Sequence, residues 1–276
     1  MNEATFPGGF TVLMAVYHRD SPALFRMAVE SVFSNTLQPD AFILVVDGPV
    51  SGALEQEIES LKGSFAITVH CLDENIGLAG ALNEGLALVA TEWILRADAD
   101  DYNLQHRFSA MAKALAASAD RLDLFGSAIV EVDHDGTKLA TRRTVENHKD
   151  IRKFASKRNP FNHMTVAMRA ALARSAGGYP DIFLKEDYAL WASLLKLNAR
   201  TANLPDVLVR ATTGRAMYGR RGGLKYALSE IRLQRHLVRC NLKGYSAALV
   251  DGLMRSAVFL IPSSLRAFVY TRFLRR

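Results

Sequence analysis

The 276-residue chain has an ordinary globular composition, with 49% hydrophobic, 22% charged and 9% aromatic residues. At roughly 150 residues per domain, this length predicts one or two domains, and the composition excludes a disordered, collagen-like or disulfide-rich protein. The two cysteines, Cys71 and Cys240, lie far apart and belong to no CxxC or Cys/His cluster. This excludes a structural zinc site of the usual spacing and favours a reducing compartment.

The net charge of +6 conceals a strong asymmetry between the two halves of the chain. Residues 1–138 carry 8 Lys/Arg and 20 Asp/Glu, whereas residues 139–276 carry 26 and 8. Such a basic half is typical of contact with a polyanion, either phospholipid or nucleic acid, and a merely solvated basic face is the alternative. No signal peptide or run of 18 apolar residues is visible, so we expect a cytoplasmic protein.

Strand and helix patterns alternate along the first hundred residues. Four runs predict strands, at Phe10–Tyr17, Ala41–Val46, Ala66–Leu72 and Glu92–Ala97, and the first two are apolar enough to predict burial on both faces. The first helix is predicted to open at Ser21-Pro22, and the next two follow from apolar residues spaced three and four apart. This order predicts right-handed βαβ units and a parallel sheet, with ligands bound beyond the carboxyl ends of its strands.

The second half of the chain has a less regular pattern. It predicts a β-hairpin that turns at 134–136, a short strand at 164–168 and a helix starting just after Glu186-Asp187. A Gly- and Arg-rich loop follows at 212–223, with Arg215, Arg220 and Arg221 as candidates for closing over a diphosphate or as plain surface charges. Two helices are predicted after it, at 224–242 and from 247 to the end, with a break near Pro262.

Acidic residues form two clusters, one directly after the fourth predicted strand and one at the start of a predicted helix. Asp98, Asp100 and Asp101 follow the fourth strand, and alternate carboxylates in such a loop suit a hard divalent cation. In the alternative interpretation, Asp101 caps the helix that follows. Glu186-Asp187 begins a helix, where acids are also common for electrostatic reasons alone. No G-x-G-x-x-G or P-loop pattern follows any predicted strand, so neither nucleotide fingerprint is present.

Five motifs, taken together in chain order, resemble those of the family 2 glycosyltransferases. They are Val16-Tyr17-His18, Val45-Val46-Asp47, the run ENIGLAGALNEG at 74–85, RADADD at 96–101 and EDYALW at 186–191. The resemblance covers Phe10 to Arg210 and implies the GT-A fold, an α/β fold with a mostly parallel central sheet flanked by helices. Residues 158–165 and 177–179 are similar to the subgroup that builds bacterial exopolysaccharides and O-antigens, the amylovoran-type transferases.

The resemblance also implies how the chain is divided. Residues 1–210 would form the GT-A domain, with a nucleotide-binding half at about 1–103 and an acceptor-binding half at about 104–210. Residues 211–276 would form a basic loop and a C-terminal helical extension. Two positions depart from the family pattern. Gly48 stands where a second acid is common, and Leu82 stands where an arginine often precedes the asparagine.

Roles for individual residues follow from the same resemblance. Asp187 would be the catalytic base with Glu186 beside it, and Asp98, Asp100 and Asp101 would bind Mn²⁺ or Mg²⁺. The residues implied to bind the nucleotide sugar are Val16, Tyr17, His18, Asp47 (at the uridine), Asn75, Gly77, Asn83, Arg96, Asp98 and Ala99. Those implied to bind the acceptor are His163, Asn162 and Trp191.

The expected activity is inverting transfer of a sugar from a nucleotide sugar, of the UDP type, to a saccharide acceptor. The resemblance implies a lipid-linked acceptor and a role in cell-surface polysaccharide biosynthesis. The alternatives are a sugar nucleotidyltransferase, which would carry a Gly-rich basic loop after the first strand, an inactive sugar-binding module, and a basic nucleic-acid-binding protein. We expect no nucleic-acid partner, because no recognition pattern accompanies the basic residues.

The predicted C-terminal helix indicates where in the cell the protein acts. Its apolar residues recur at helical spacing from 247 to 276, and Arg255, Arg266, Arg272, Arg275 and Arg276 accompany them. This pattern predicts peripheral contact with the anionic inner face of a membrane, and a helix packed on the core is the alternative.

Overall fold

The computed structural model describes residues 4–119, 121–133, 135–213 and 223–260. Its strands are β1 (Phe10–Val16), β2 (Ala41–Val46), β3 (Thr68–Cys71), β4 (Trp93–Arg96), β5 (Tyr102–Asn103), β6 (Leu124–Val132), β7 (Lys138–Arg142), β8 (Ala167–Arg169) and β9 (Thr201–Thr212). Its α-helices are α1 (Pro22–Phe33), α2 (Gly52–Ser64), α3 (Gly77–Leu88), α4 (Arg107–Ala117), α5 (His148–Phe154), α6 (Ala170–Ser175), α7 (Glu186–Lys196), α8 (Leu224–Arg239) and α9 (Tyr245–Leu260). A short 3₁₀ helix spans His163–Thr165.

Across the described residues, the nine strands form one sheet in the order β3-β2-β1-β4-β8-β6-β9-β5, with β7 paired to β6. Strands β3, β2, β1 and β4 are parallel, as predicted from the alternating pattern. Strand β8 runs antiparallel to both of its neighbours, β4 and β6, so the sheet is mixed beyond β4. The order reverses between β1 and β4, and this switch point is where such sheets bind ligands.

Both faces of β1, β2 and β4 are covered by helices, which explains their continuous apolar sequences, whereas the edge strand β3 is only partly buried. Val12 and Met14 of β1 point into the core formed with α1, α2 and α4. Leu13 between them points to the opposite face, where it packs with α3, α6 and α7. The helical hairpin of α8 and α9 lies outside this second layer, because Leu233 and Leu237 of α8 pack on α7.

The predictions for the second half were only partly correct. The β6–β7 hairpin is confirmed, but the strand predicted at 164–168 divides into the 3₁₀ helix and β8. No strand was predicted at β9, although it is 12 residues long and pairs along the whole of β6. Pro205 and Asp206 interrupt its apolar pattern, and the pairing register of β6 shifts opposite them.

The C-terminal region contains the two helices that were predicted, α8 and α9. Among the helices that the structure describes, none has the length and apolar character needed to cross a membrane. His134, the loop arginines 215, 220 and 221, and the predicted helical residues after Leu260 lie outside the described residues.

Candidate active site

The acidic loop after β4 lies at the switch point of the sheet. One carboxylate oxygen from each of Asp98, Asp100 and Asp101 lies within 4.8 Å of the other two. Asp101 is 3% exposed; its Oδ1 accepts the Thr212 N–H at 2.8 Å, and its Oδ2 is buried with no hydrogen-bond partner among the described residues. The alternative role of Asp101 as a helix cap is wrong, because β5 intervenes and α4 begins only at Arg107.

The electrostatics of this loop favour a bound cation. Desolvation, followed by the charges of Asp98 and Asp20, raises the pKa of Asp100 to about 7. Desolvation, followed by the charges of Asp98 and Asp100, also raises the pKa of Asp101 well above its usual range. Asp20, after β1, has a pKa raised to about 6, chiefly by desolvation. A divalent cation would offset this concentrated negative charge, and the unpartnered Asp101 oxygen fits the oxygen ligands that Mg²⁺ and Mn²⁺ prefer.

Two buried arginines lie next to the acidic loop and hold part of it in place through hydrogen bonds. The Arg96 guanidinium is 2.6 Å from Oδ1 of Asp98 and donates to the carbonyl of Leu13. Arg107 donates to the Arg96 carbonyl at 2.7 Å, and desolvation lowers the pKa of Arg107 to about 9. Arg96 is 1% exposed, and its contact holds the Asp98 carboxylate in place; its binding to the nucleotide sugar stays a prediction.

The Asp47 carboxylate organises the neighbouring loop between β3 and α3. Its two oxygens accept the backbone N–H groups of Ile76 at 2.8 Å and Gly77 at 3.0 Å, and Asn75 Nδ2 donates to it at 2.9 Å. Gly48 has φ +79°, and a Cβ there would lie 2.5 Å from the Asn75 nitrogen. This close approach explains why Gly48 replaces the second acid of the family pattern.

The remaining residues predicted to bind the donor have different surroundings. Tyr17 and His18 follow β1 with exposed side chains, and their ring centroids are 5.2 Å apart. Val16 and Ala99 are 1% and 6% exposed and pack in the core, so they offer the nucleotide sugar little side-chain surface, and their binding to it stays a prediction. The Asn83 amide is bound to the Tyr179 backbone, donating to its carbonyl at 2.9 Å and accepting its N–H at 2.7 Å.

The acidic pair lies in the first turn of α7, where the helix dipole favours negative charge. Asp187 is partly exposed, and its Oδ2 accepts a hydrogen bond from Asn159 Nδ2 at 2.6 Å. Glu186 is 8% exposed. Desolvation, followed by the charge of Asp187, raises the pKa of Glu186 to about 7. The two adjacent carboxyls therefore differ, with Asp187 held at the surface and Glu186 buried.

His163 and Tyr179 lie within electrostatic reach of both acidic groups. Nε2 of His163 is 3.2 Å from the Tyr179 hydroxyl. Desolvation lowers the pKa of His163 to about 4, and the charges of Arg96, Asp98 and Asp187 all act on its ring. The charge of Asp98 also acts on Glu186, so the acidic loop after β4 and the pair on α7 lie close enough for their charges to interact, although they are far apart in the sequence.

Two of the three residues predicted to bind the acceptor are buried instead. Asn162 is 2% exposed and donates to the Ser127 carbonyl at 2.8 Å. Trp191 is 0% exposed and packs edge-on against the rings of Phe161 and His163. Both side chains fill the core that supports His163, and their contact with the acceptor stays a prediction.

The fold also brings to the site three residues for which the sequence predicted no role. Asn159, which orients Asp187, was quoted within the motif at 158–165 but given no role. Its position beside a proline, in a polar run close to the predicted acceptor residues, was the available signal. Asp20 and Arg107 have no comparable local signal, because only the sheet brings them to the acidic loop.

The chain is similar in sequence to known glycosyltransferases. Residues 11–177 match the model of Glycosyl transferase family 2. An Escherichia coli protein, UDP-Gal:alpha-D-GlcNAc-diphosphoundecaprenol beta-1,3-galactosyltransferase, is 34% identical over 267 residues, covering 97% of each chain. The Erwinia amylovora amylovoran biosynthesis glycosyltransferase AmsE is 33% identical over 95% of this chain and 98% of its own.

Solved structures share the fold at lower sequence identity. The structure of S. aureus TarS 1–349 in complex with UDP-GlcNAc has a TM-score of 0.68 and 17% identity, covering 97% of this chain and 76% of that chain. A Pyrobaculum calidifontis mannosyltransferase with GDP-Man and Mn²⁺ has a TM-score of 0.63 and 16% identity, over 97% of this chain and 81% of that chain.

The sheet, its flanking helices and the acidic switch point define a GT-A-like fold, as predicted. The match over residues 11–177 and the full-length relatives show that the chain belongs to glycosyl transferase family 2. It is therefore a glycosyltransferase, and the prediction of this family from five short motifs is confirmed.

Proposed function

We propose that this glycosyltransferase moves a sugar from a UDP-sugar to a saccharide carried on a lipid diphosphate, in the synthesis of a cell-surface polysaccharide. The observation that carries the proposal is the cluster of Asp98, Asp100 and Asp101 after β4, whose charge reaches the acidic pair on α7. The names of the two relatives support it, since one uses UDP-Gal and a diphosphoundecaprenol-linked sugar and the other belongs to amylovoran biosynthesis.

Asp187 is the proposed catalytic base. An acceptor hydroxyl within about 3 Å of its carboxylate would pass its proton to Asp187 as the oxygen attacks the anomeric carbon. The bond from that carbon to the diphosphate breaks at the same time, and UDP leaves with the bonding electrons. One displacement inverts the configuration, so an α-linked donor gives a β-linked product. Asn159 fixes the carboxylate through the 2.6 Å hydrogen bond to Oδ2.

Asp98, Asp100 and Asp101 are the proposed ligands of Mn²⁺ or Mg²⁺. When bound, such a cation supplies Lewis-acid stabilisation of the charge on the departing diphosphate. The protein prepares these ligands in advance, because Arg96 fixes Asp98 and the Thr212 N–H fixes one oxygen of Asp101.

The proposed donor site uses the edge at the ends of β1 and β2. Tyr17 and His18 offer exposed rings to the nucleotide, while Asn75 and Gly77 lie in the loop that the Asp47 carboxylate holds. The contact of Asp47 with uridine stays a prediction. We also retain the proposed division into a nucleotide-binding half at 1–103 and an acceptor-binding half at 104–210. A lipid-linked acceptor further requires peripheral approach to a membrane.

A donor and acceptor screen tests this proposal. The purified chain, Mn²⁺ and a lipid-diphosphate saccharide are incubated with a panel of UDP-sugars, while UDP release and the anomeric configuration of the product are measured. We expect UDP release with one or a few donors and a β-linked product. The Asp73→Asn variant, altered at an exposed acid after β3, is the control and should retain activity. Transfer with retention of configuration, or no transfer from any UDP-sugar, would overturn the proposal.

A further inference from the structure

The hairpin of α8 and α9 exposes a broad apolar surface. One side of α9 packs inward through Ala248, Gly252, Ser256 and Phe259. The opposite side carries large side chains that are 54% to 83% exposed, namely Tyr245, Leu249, Val250, Leu253, Met254 and Leu260. Single exposed apolar residues are common on proteins, but a contiguous group of six on one helix marks a surface that meets an apolar partner.

Helix α8 places positive charge beside this apolar side. The residues that follow one another along its outer face are Lys225, Leu228, Arg232, Arg235 and Arg239. Within the part of the chain that the structure describes, none of these three arginines has an ion-pair partner. The two acids of residues 223–260 are engaged elsewhere, since Glu230 is 1% exposed and Asp251 pairs with Lys243. The outer face of the hairpin is therefore apolar on α9 and basic on α8.

The same hairpin adjoins the acidic pair of the active site. Leu184, two residues before Glu186, is 46% exposed. The ring of its neighbour Phe183 lies 5.4 Å from the ring of Tyr226 on α8, and Lys225 Nζ lies 3.9 Å above it. The segment just before the acidic pair therefore packs against the N-terminal end of α8.

We propose that this outer face docks the enzyme on an anionic lipid bilayer. The six exposed side chains of α9 enter the boundary between headgroups and acyl chains, and the arginines of α8 contact the phosphate headgroups. Adjacent apolar and basic stripes are the pattern of helices that lie in a membrane interface. In combination with the proposed lipid-linked acceptor, Leu184 at the edge of this face would hold Asp187 close to the bilayer surface.

The apolar contribution is tested with the full-length chain and two variants. Vesicles of phosphatidylcholine mixed with phosphatidylglycerol are floated with the protein at low salt, without donor or acceptor. We expect the unmodified chain to float with the vesicles and the Leu249→Gln/Leu253→Gln variant to remain behind. Leu88→Gln, at a 45% exposed leucine at the end of α3, is the matched control and should float like the unmodified chain.

The basic contribution is tested with Arg232→Gln/Arg235→Gln. Because each basic residue near an anionic surface contributes about fivefold in partitioning, we expect this variant to bind about 25-fold more weakly. It should also lose part of the salt sensitivity of binding. Lys113→Gln/Arg121→Gln removes two cations at α4 and the turn after it, and should change binding less than twofold. Pure phosphatidylcholine vesicles should bind the unmodified chain much more weakly than the anionic ones.

Three results would overturn the docking proposal. The first is failure of the unmodified chain to bind anionic vesicles at low salt, and the second is undiminished binding by Leu249→Gln/Leu253→Gln. The third is a dimer in sedimentation that the same variant dissociates while vesicle binding persists, since the face would then join two copies of the chain. UDP release with a water-soluble acceptor is measured as well, and it should be unchanged in the hairpin variants. Because this activity does not need the membrane, it distinguishes failure of the docking proposal from failure of the proposed transfer reaction.

Discussion

Replacing Glu186 by glutamine should reduce the loss of unfolding free energy that the unmodified chain shows as the pH rises. Desolvation of the carboxyl, which is 8% exposed, and then the charge of Asp187 raise the pKa of Glu186 from its ordinary 4.5 to about 7. The folded state therefore holds this proton more tightly than the unfolded state. The stability that Glu186 contributes is fully present below pH 4.5 and is lost as the pH rises through about 7.

The size of this effect follows from the two pKa values. A rise from 4.5 to about 7 corresponds to about 3 kcal/mol of unfolding free energy over the whole pH range. Between pH 5.5 and pH 8, the part attributable to Glu186 is about 2 kcal/mol. Glutamine has a similar shape and carries no titrating proton, so Glu186→Gln should lack this part of the pH dependence.

The measurement is urea denaturation at both pH values, with EDTA present and no donor. The unmodified chain should lose about 2 kcal/mol more than Glu186→Gln between pH 5.5 and pH 8. Other carboxyls with raised pKa values, such as Asp20 and Asp100, are present in both proteins and largely cancel in the comparison. Glu146→Gln, at an exposed glutamate before α5, should follow the unmodified chain. Parallel losses in all three proteins, within about 0.5 kcal/mol, would refute the assignment of a raised pKa to Glu186.

Three further substitutions test the site. Asp98→Ala should abolish both turnover and the rise in melting temperature that Mn²⁺ with UDP produces, whereas full activity of the unmodified enzyme in EDTA would contradict a metal at this loop. Asp187→Asn should lower kcat by about 10² to 10⁴ with little change in donor affinity, and a kcat above a tenth of normal would remove Asp187 as the base. Asp47→Asn should reduce the free energy of unfolding by about 2 kcal/mol, because two backbone N–H groups at the start of α3 lose a charged acceptor. If Asp73→Asn, at an exposed acid, were equally destabilising, the structural role of Asp47 would be wrong.

The parallel half of the fold was predictable because its signals are local. Strand β2 has the bounds that were predicted, and Ser21-Pro22 opens α1 where the capping pattern placed it. Strand β9 was missed because Pro205 and Asp206 interrupt its apolar pattern, while pairing along β6 supplies the hydrogen bonds that hold it in the sheet. In this half, tertiary pairing decides the structure.

The same distinction applies within the site. The acids proposed to bind a metal or to act as the base, such as Asp98 and Asp187, lie in short motifs that the sequence displays directly. The burial of Trp191 depends on which face of α7 meets the sheet, and that of Asn162 on its hydrogen bond to Ser127 of β6; the motifs contain no information about either. The contact between Asn159 and Asp187 joins residues 28 positions apart, so only the folded chain reveals it.

In the folded chain, the acids of the first half of the sequence and the basic residues of the second half lie in different regions. Acids of the first half gather at the loop after β4, where a cation would offset them, while unpaired arginines of the described C-terminal residues line the outer face of α8. The buried Glu230 links the start of α7 to the helical hairpin, since its carboxylate lies 3.5 Å from Nζ of Lys185, beside Glu186, and 3.6 Å from Arg255 on α9. Inversion requires the acceptor to attack from the side opposite the departing diphosphate. A donor bound at the acidic loop and an acceptor delivered from the hairpin past Leu184 would meet this requirement, because Asp187 then lies on the acceptor side.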